Sequence, residues 1–219
     1  MPVTAGPNIV EDGLVFYLDS VNKDSWSGPN SNIVNSLIGS ATGSIDNDTS
    51  GSFGNNNSFT FDGVDDKISI PPDPLATETR TAFTVSAWIK RANISTGLIF
   101  NNSSLYYFAW YFYSTSFRVY LYNIQITIFE QQSDLGLDNT NWNNIVMVMD
   151  TDNSIEKIYV NGILKFSDTS ARSYFNNTSP LVIGEFNGDI GPVKMYSKAL
   201  SSQEVKQNYN ALKGRFSLT

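Results

Sequence analysis

The sequence has no cysteine and no histidine among its 219 residues. Without cysteine there is no disulfide, no thiolate chemistry and no sulfur-ligated metal. Without histidine the usual general base at neutral pH is missing, and so is the commonest metal ligand. A hydroxyl nucleophile activated by histidine is therefore excluded. Basic runs are also lacking: 14 Lys and Arg stand against 21 Asp and Glu, for a net charge of −7. Binding to nucleic acid by counterion release has little to work with, whereas an acidic surface favours solubility and leaves room for a cation. The longest apolar stretch, Leu105 to Tyr113, is far short of the ~20 residues that span a bilayer, so no membrane insertion is expected. Met1 to Asn8 carries neither a basic head nor an apolar run, so no secretory signal is read there.

Strand signals dominate what is present. Short runs rich in β-branched and aromatic residues recur at Leu14–Asp19, Ser58–Asp62, Lys67–Ile70, Phe83–Lys90, Gly97–Phe100, Leu105–Phe112, Phe117–Tyr122 and Gln125–Glu130. They continue at Asn143–Asp150, Glu156–Val160, Ile163–Phe166, Leu181–Gly184 and Asp189–Tyr196. Gly, Pro, Asn or Asp bounds each run, as in an antiparallel meander. This spacing without interleaved helices predicts an all-β sandwich or barrel. Asn161-Gly162 accepts the positive φ angles of a type I′ turn and predicts a tight hairpin, and Asp152-Asn-Ser154 predicts a looser one. Val21 to Asn57, polar and rich in Ser, Gly, Asn and Asp, reads as long rim loops with one short strand around Asn32 to Ile38.

One helix is expected. Ser201-Ser-Gln-Glu204 forms a capping box, and Val205, Tyr209 and Leu212 follow on one stripe. Gly214 is the expected stop. The organisation is then an N-terminal arm over 1–12, a sandwich over 13–200, and a helix with its tail over 201–219 packed on the sandwich.

Five phrases occur in order: Phe59-Thr-Phe-Asp-Gly-Val-Asp-Asp66, Phe83-Thr-Val-Ser-Ala-Trp-Ile-Lys90, Ile158-Tyr-Val-Asn-Gly162, Gly188-Asp-Ile190 and Lys194-Met-Tyr-Ser-Lys-Ala-Leu-Ser-Ser-Gln-Glu204. Together they resemble the laminin-G-like, concanavalin-A-like jelly roll. The resemblance implies two antiparallel sheets packed face to face, an architecture that hosts lectins, glycanases, adhesins and structural modules. It covers about Gly13 to Tyr209.

Glucanases of that fold carry two glutamates on one strand in a Glu-x-Asp-x-(x)-Glu pattern. Here Glu11, Glu78, Glu130, Glu156, Glu185 and Glu204 do not cluster in this way. A retaining glycosidase needs carboxyl groups ~5–5.5 Å apart, and no such pair is specified, so no catalytic residue is assigned. The resemblance also implies a rim calcium ion, with Asp62, Asp65, Asp66 and Asp189 as candidate ligands. No cofactor is required by the reading. Gly191-Pro192 stands where relatives commonly carry an acidic pair, and the alternative is a plain turn with solvated carboxylates. Asp46-Asn-Asp-Thr-Ser-Gly51 starts like a calcium loop, but Asn57 holds the place of the closing glutamate, so it reads as a turn.

The aromatic block is the most distinctive feature. In Leu105 to Tyr113 the alternation puts Tyr106, Phe108, Trp110 and Phe112 on one face and Tyr107, Tyr111 and Tyr113 on the other. The next strand adds Arg118, Tyr120 and Tyr122 to the second face. Aromatics bury roughly 150–250 Å² each, so five half-exposed tyrosines make a patch of ~500 Å², at the upper limit for a monomer. That face is covered by the chain itself, makes a protein contact, or stacks sugar rings.

The opening phrase Gly6-Pro-Asn-Ile-Val-Glu-Asp-Gly-Leu-Val-Phe-Tyr-Leu-Asp19 and the closing phrase from Lys198 to Phe216 are similar to those of stand-alone members of the fold in tailed, especially marine, bacteriophages. This implies a virion structural protein with capsid proteins, tail proteins or sister subunits as partners. Its roles there are capsid decoration, head fibre or tail-associated component, made in the host cytoplasm and displayed on the virion surface. A module recognising host or environmental polysaccharide is the alternative, and a glycoside hydrolase a remote one.

Overall fold

Alternation in the sequence becomes alternation across two sheets. The computed structural model describes residues 7–46, 58–71, 74, 81–93, 96–101, 108–121, 124–137, 141–169 and 179–218. In chain order the strands are β1 (Leu14–Leu18), β2 (Ile33–Asn35), β3 (Thr42–Asp46), β4 (Phe59–Asp62), β5 (Lys67–Ile70), β6 (Ala82–Arg91), β7 (Gly97–Asn101), β8 (Phe108–Phe112), β9 (Ser116–Leu121) and β10 (Ile124–Gln131). A single helical turn, α1 (Gln132–Leu135), leads to β11 (Asn143–Asp150), β12 (Ile155–Val160), β13 (Ile163–Asp168), β14 (Leu181–Gly184) and β15 (Asn187–Tyr196). Helix α2 (Ser202–Leu212) and a 3-10 turn (Lys213–Phe216) end the described chain.

Among the described residues these strands form two antiparallel sheets, the expected jelly-roll sandwich. The seven-stranded sheet runs β1-β15-β6-β11-β12-β13, with β4 also paired to β15, and the eight-stranded sheet runs β10-β9-β8-β7-β14-β5-β3-β2. Inward residues of both sheets, such as Phe83, Val85, Ala87 and Ile89 of β6 and Trp110 and Phe112 of β8, fill one core. Two inner faces interdigitating in this way are what make a sandwich stable.

Strand β6 is buried on both faces. Its outward residues are Thr84, Ser86 and Trp88, and the C-terminal segment lies over them. Thr84 Oγ1 donates to the Lys198 carbonyl (2.8 Å) and accepts from the Leu200 amide (3.0 Å). The capping box of α2 is present as expected, Ser201 accepting from the Glu204 amide. The Asn161-Gly162 hairpin has both residues at positive φ, 52° and 74°, the I′ signature.

Two expectations are corrected. The described part of the stretch from Val21 to Asn57 contains two strands, β2 and β3, with β3 paired to β5. Its residues Thr-Gly-Ser-Ile-Asp offer few apolar side chains, yet Gly43 sits where a Cβ would come within 2.8 Å of Ile70 and the Ser69 carbonyl. Close sheet pairing, not hydrophobicity, makes that strand. The α-helix ends at Leu212, just before the expected stop at Gly214, but Gly214 is not the left-handed residue that ends the winding. The chain winds on as the 3-10 turn and takes a left-handed residue only at Ser217 (φ 57°), because Phe216 is held by Trp88 at 4.3 Å and Trp142 at 4.5 Å between ring centroids. Leu105 to Tyr107, Asn47 to Gly51, Glu78 and Tyr122 lie outside the described residues.

Candidate functional site

Strands β8 and β9 form a hairpin in which the Tyr113 amide donates to the Ser116 carbonyl (2.8 Å) across Ser114-Thr115. Its register sets Phe112 opposite Phe117, Tyr111 opposite Arg118, Trp110 opposite Val119 and Ala109 opposite Tyr120. Trp110, Phe112, Phe117 and Val119 point into the core and are buried. Trp110 meets Phe100 edge-on at 5.0 Å and Phe117 at 5.7 Å, which locks the hairpin onto the sandwich. Large inward residues thus fix which side chains face out.

The outward set is Tyr111, Tyr113, Arg118 and Tyr120, all half-buried. The Arg118 guanidinium lies 3.8 Å from the centre of the Tyr113 ring, and its Nη1 donates to the Tyr120 hydroxyl (3.4 Å). The Tyr113 and Tyr120 hydroxyls share a hydrogen bond at 3.4 Å, which, with partial burial, raises the Tyr113 phenol above its usual pKa. Tyr111 packs beside Tyr113 with centroids 4.7 Å apart at 45°. Ala109, the small residue of this face, is fully buried opposite Tyr120. The result is a pre-organised platform of ring faces, phenol hydroxyls and one cation. Tyr107 and Tyr122, expected on the same face, lie outside the described residues.

The acidic corner is the β4–β5 turn. Gly63 sits at φ 80°, where a Cβ would come within 2.9 Å of the Asn187 amide, so the turn needs glycine. Asp62 Oδ1 accepts the Val64 amide (2.8 Å) and Asp66 Oδ2 accepts the Asp62 amide (3.0 Å). Asp62, Asp65 and Asp66 bring carboxylate oxygens within 4.8 Å of one another, an oxygen-only donor set that fits a hard cation such as calcium. Asp189 stands apart from that group. It lies opposite Thr60 in the sheet and accepts from Thr60 Oγ1 (2.7 Å) and Ser58 Oγ (3.4 Å). Its signal in the sequence was an acidic residue in the right phrase, but strand register carries it away from the turn.

The described glutamates sit on separate elements. Glu156 is buried in β12, Glu185 is exposed at a left-handed position (φ 59°) between β14 and β15, and Glu204 caps α2. Glu11 and Glu204, with Asp12, do line a shallow groove of about 390 Å³ between the N-terminal segment and α2. Lys198 bridges Asp12 and Glu204, the latter at 2.8 Å. Glu204 Oε2 also accepts from the Ser201 amide and hydroxyl, both at 2.8 Å. Glu204 is thus engaged in holding the helix start.

Sequence reasoning placed the helix and its tail on the sandwich but missed the contacts that fasten them to the seven-stranded sheet. Tyr196 donates its hydroxyl to the Val10 carbonyl (3.0 Å) and accepts from Asn208 Nδ2 (3.0 Å), while Asn208 Oδ1 accepts the Val10 amide (2.8 Å). This closed ring of bonds ties the N-terminal segment, β15 and α2 together. Trp88 stacks on Tyr209 (5.7 Å) and Phe216 (4.3 Å). An aromatic residue two places past Gly214 was the available signal.

Two stacked antiparallel sheets with a C-terminal helix define a jelly-roll sandwich of the concanavalin A-like type. The sequence model of the laminin-G-like family, described as the concanavalin A-like lectin/glucanases superfamily, matches residues 62–206, and the chain belongs to that family. No curated protein sequence matches it. Among solved structures it is similar to the receptor-binding domain of botulinum neurotoxin C/D mosaic serotype, at 17% identity and a TM-score of 0.73 over 91% of this chain and 51% of that one. It is also similar to the botulinum neurotoxin serotype D binding domain, at 19% identity and a TM-score of 0.69 over 93% and 51%. A third is the binding domain of botulinum neurotoxin DC in complex with rat synaptotagmin II, at 14% identity and a TM-score of 0.60 over 91% and 52%. The chain spans about half the length of these domains, and at such identities the likeness is one of fold.

Proposed function

We propose that this chain is a non-enzymatic recognition module whose ligand-binding surface is the outward face of β8 and β9. The observation that carries the reading is the half-buried, outward-facing cluster of Tyr111, Tyr113 and Tyr120 around Arg118. Tyrosine faces pack against the apolar C–H face of a pyranose while their hydroxyls bond to its polar edge, and a guanidinium adds directed donors. A glycan of a host surface is the ligand class this chemistry fits. The setting we propose is the surface of a bacteriophage particle, as a capsid decoration, head fibre or tail-associated component that stabilises the particle, attaches it to the host, or both. Support for that setting is the opening phrase from Gly6 to Asp19 and the closing phrase from Lys198 to Phe216. A protein surface is the second reading, favoured by the structural relative that is bound to synaptotagmin. Where a calcium ion binds, Asp62, Asp65 and Asp66 hold it and brace the rim.

Two experiments test this. Arrayed host-surface polysaccharides should retain the protein, and Tyr111→Ala, Arg118→Ala and Tyr120→Ala should each weaken retention. Equal retention by all three variants removes the aromatic platform. Electron microscopy of purified particles then tests the setting, and particles that carry no density for this fold count against it.

A further inference from the structure

Lys194 lies in β15 on the face of the seven-stranded sheet that the C-terminal segment covers. It is fully buried, and its Nζ makes no hydrogen bond. Tyr17 of β1 and Ser86 of β6 are its partners in register, and the Tyr17 ring centre is 5.7 Å from Nζ. The C-terminal segment is anchored on both sides of it. Towards one end of β15 lies Tyr196, bonded to Asn208 of α2 at 3.0 Å. Towards the other lies Gly191, where a Cβ would come within 2.9 Å of the Phe216 ring.

The groups that face the lysine leave it uncompensated. From the end of β1 come the Tyr17 phenol and the Asp19 carboxylate, and from the 3-10 turn comes the Arg215 guanidinium. Strand β6 contributes the uncharged Ser86, and the neighbouring outward residue of β15, Tyr196, is bonded to the uncharged Asn208 of α2. Asp19 already accepts from Arg215 (2.8 Å) and from the Tyr17 hydroxyl (3.1 Å), so the nearest carboxylate is held by another cation. Burying an ammonium without hydrogen bonds is strongly unfavourable. Burial is the main cause pushing the Lys194 amine down, from 10.5 to about 7, with Arg215 adding to it and Asp19 opposing.

We propose that the C-terminal segment, α2 with its 3-10 turn, is a pH-responsive clasp that protonation of Lys194 loosens from the seven-stranded sheet. An ammonium beneath the segment gains hydration only when the segment lifts. The sign follows from proton linkage. In the opened form the hydrated lysine titrates as a free one, so the opened form binds more protons than the closed form between pH 10.5 and about 7. Opening is therefore favoured as pH falls through that window and levels off below it.

Hydrogen exchange of the α2 and terminal-turn amides, corrected for intrinsic rates, reads the opening constant. With 10.5 for the opened and about 7 for the closed form, that constant should rise about 50-fold from pH 9 to pH 7 and change less than ~2-fold from pH 7 to pH 6. Lys194→Met should flatten the dependence. A constant that does not move between pH 9 and pH 7, or a dependence that survives in Lys194→Met, overturns the clasp. So does an identical constant for the β6 amides, since that is global unfolding. Should Lys194→Met fail to fold, NMR titration of the lysine ε-carbons in the unaltered protein decides: Lys194 titrating well below the other lysines supports the proposal, and Lys194 titrating with them overturns it.

Discussion

On the seven-stranded sheet, Tyr159 and Tyr196 point outward and are fully buried, their hydroxyls bonded to Ser202 in one case and to Val10 and Asn208 in the other. On the eight-stranded sheet, Tyr111, Tyr113 and Tyr120 also point outward but are half-buried, and the bonds linking Tyr113 and Tyr120 join them to each other and to Arg118. The same residue type therefore does two jobs. Under α2 and the N-terminal segment, tyrosine is structural material, with each polar tip bonded to the chain. On the opposite face it is arranged as a surface. A tyrosine-rich strand face does not announce a binding site until one knows what covers it.

The largest expected effect breaks the covered face. Phe216→Ala removes a ring stacked on Trp88 and packed against Trp142, and should lower unfolding free energy in urea by about 3–5 kcal/mol. A loss under ~1 kcal/mol would mean that the terminal turn is not holding the layer. Next is Asn208→Ala, which leaves the buried Val10 amide without its acceptor and should cost about 1–3 kcal/mol. Tyr120→Ala on the other face should stay within ~1 kcal/mol of the parent protein in the same assay, since a partly exposed position has less to lose than a buried one. Near-equal stability losses at Asn208 and Tyr120 would erase the contrast between the faces. The smallest effect concerns the acidic corner. A site in the ~10⁻⁴–10⁻³ M range contributes roughly 0.4–1.4 kcal/mol at about 1 mM calcium. Chelation should therefore lower the melting temperature by a few degrees at most, and Asp65→Asn should remove that response. A chelator that leaves the melting curve of the parent protein unmoved ends the calcium reading.

Local interactions were the ones legible in the sequence. Ser201 and Glu204 are three residues apart and satisfy each other, so the start of α2 could be read directly. Asn161-Gly162 carried its own turn geometry, and the inward and outward sets of β8 and β9 followed from alternation against large core aromatics. Interactions set by distant segments were not legible. Strand β3 exists because β5 and Val34 close around Gly43, and nothing in Thr-Gly-Ser-Ile-Asp says so. Asp189 sits in the right phrase but is carried from Asp62, Asp65 and Asp66 by strand register. Lys194 occupies an outward position in β15, which reads as a solvated residue until the C-terminal segment is laid over it. The continuation past Gly214 depended on Phe216 finding Trp88 and Trp142, a contact about 70 to 130 residues away in sequence.

The most direct test measures retention of the parent protein and of an Arg118→Ala/Tyr120→Ala double variant on the same host-surface polysaccharide, with urea unfolding run alongside. The account predicts a drop in retention of at least ~10-fold, the equivalent of about 1.4 kcal/mol, with the unfolding curve of the double variant close to that of the parent. Undiminished retention by a folded double variant would contradict the claim that this half-buried face is where the molecule binds.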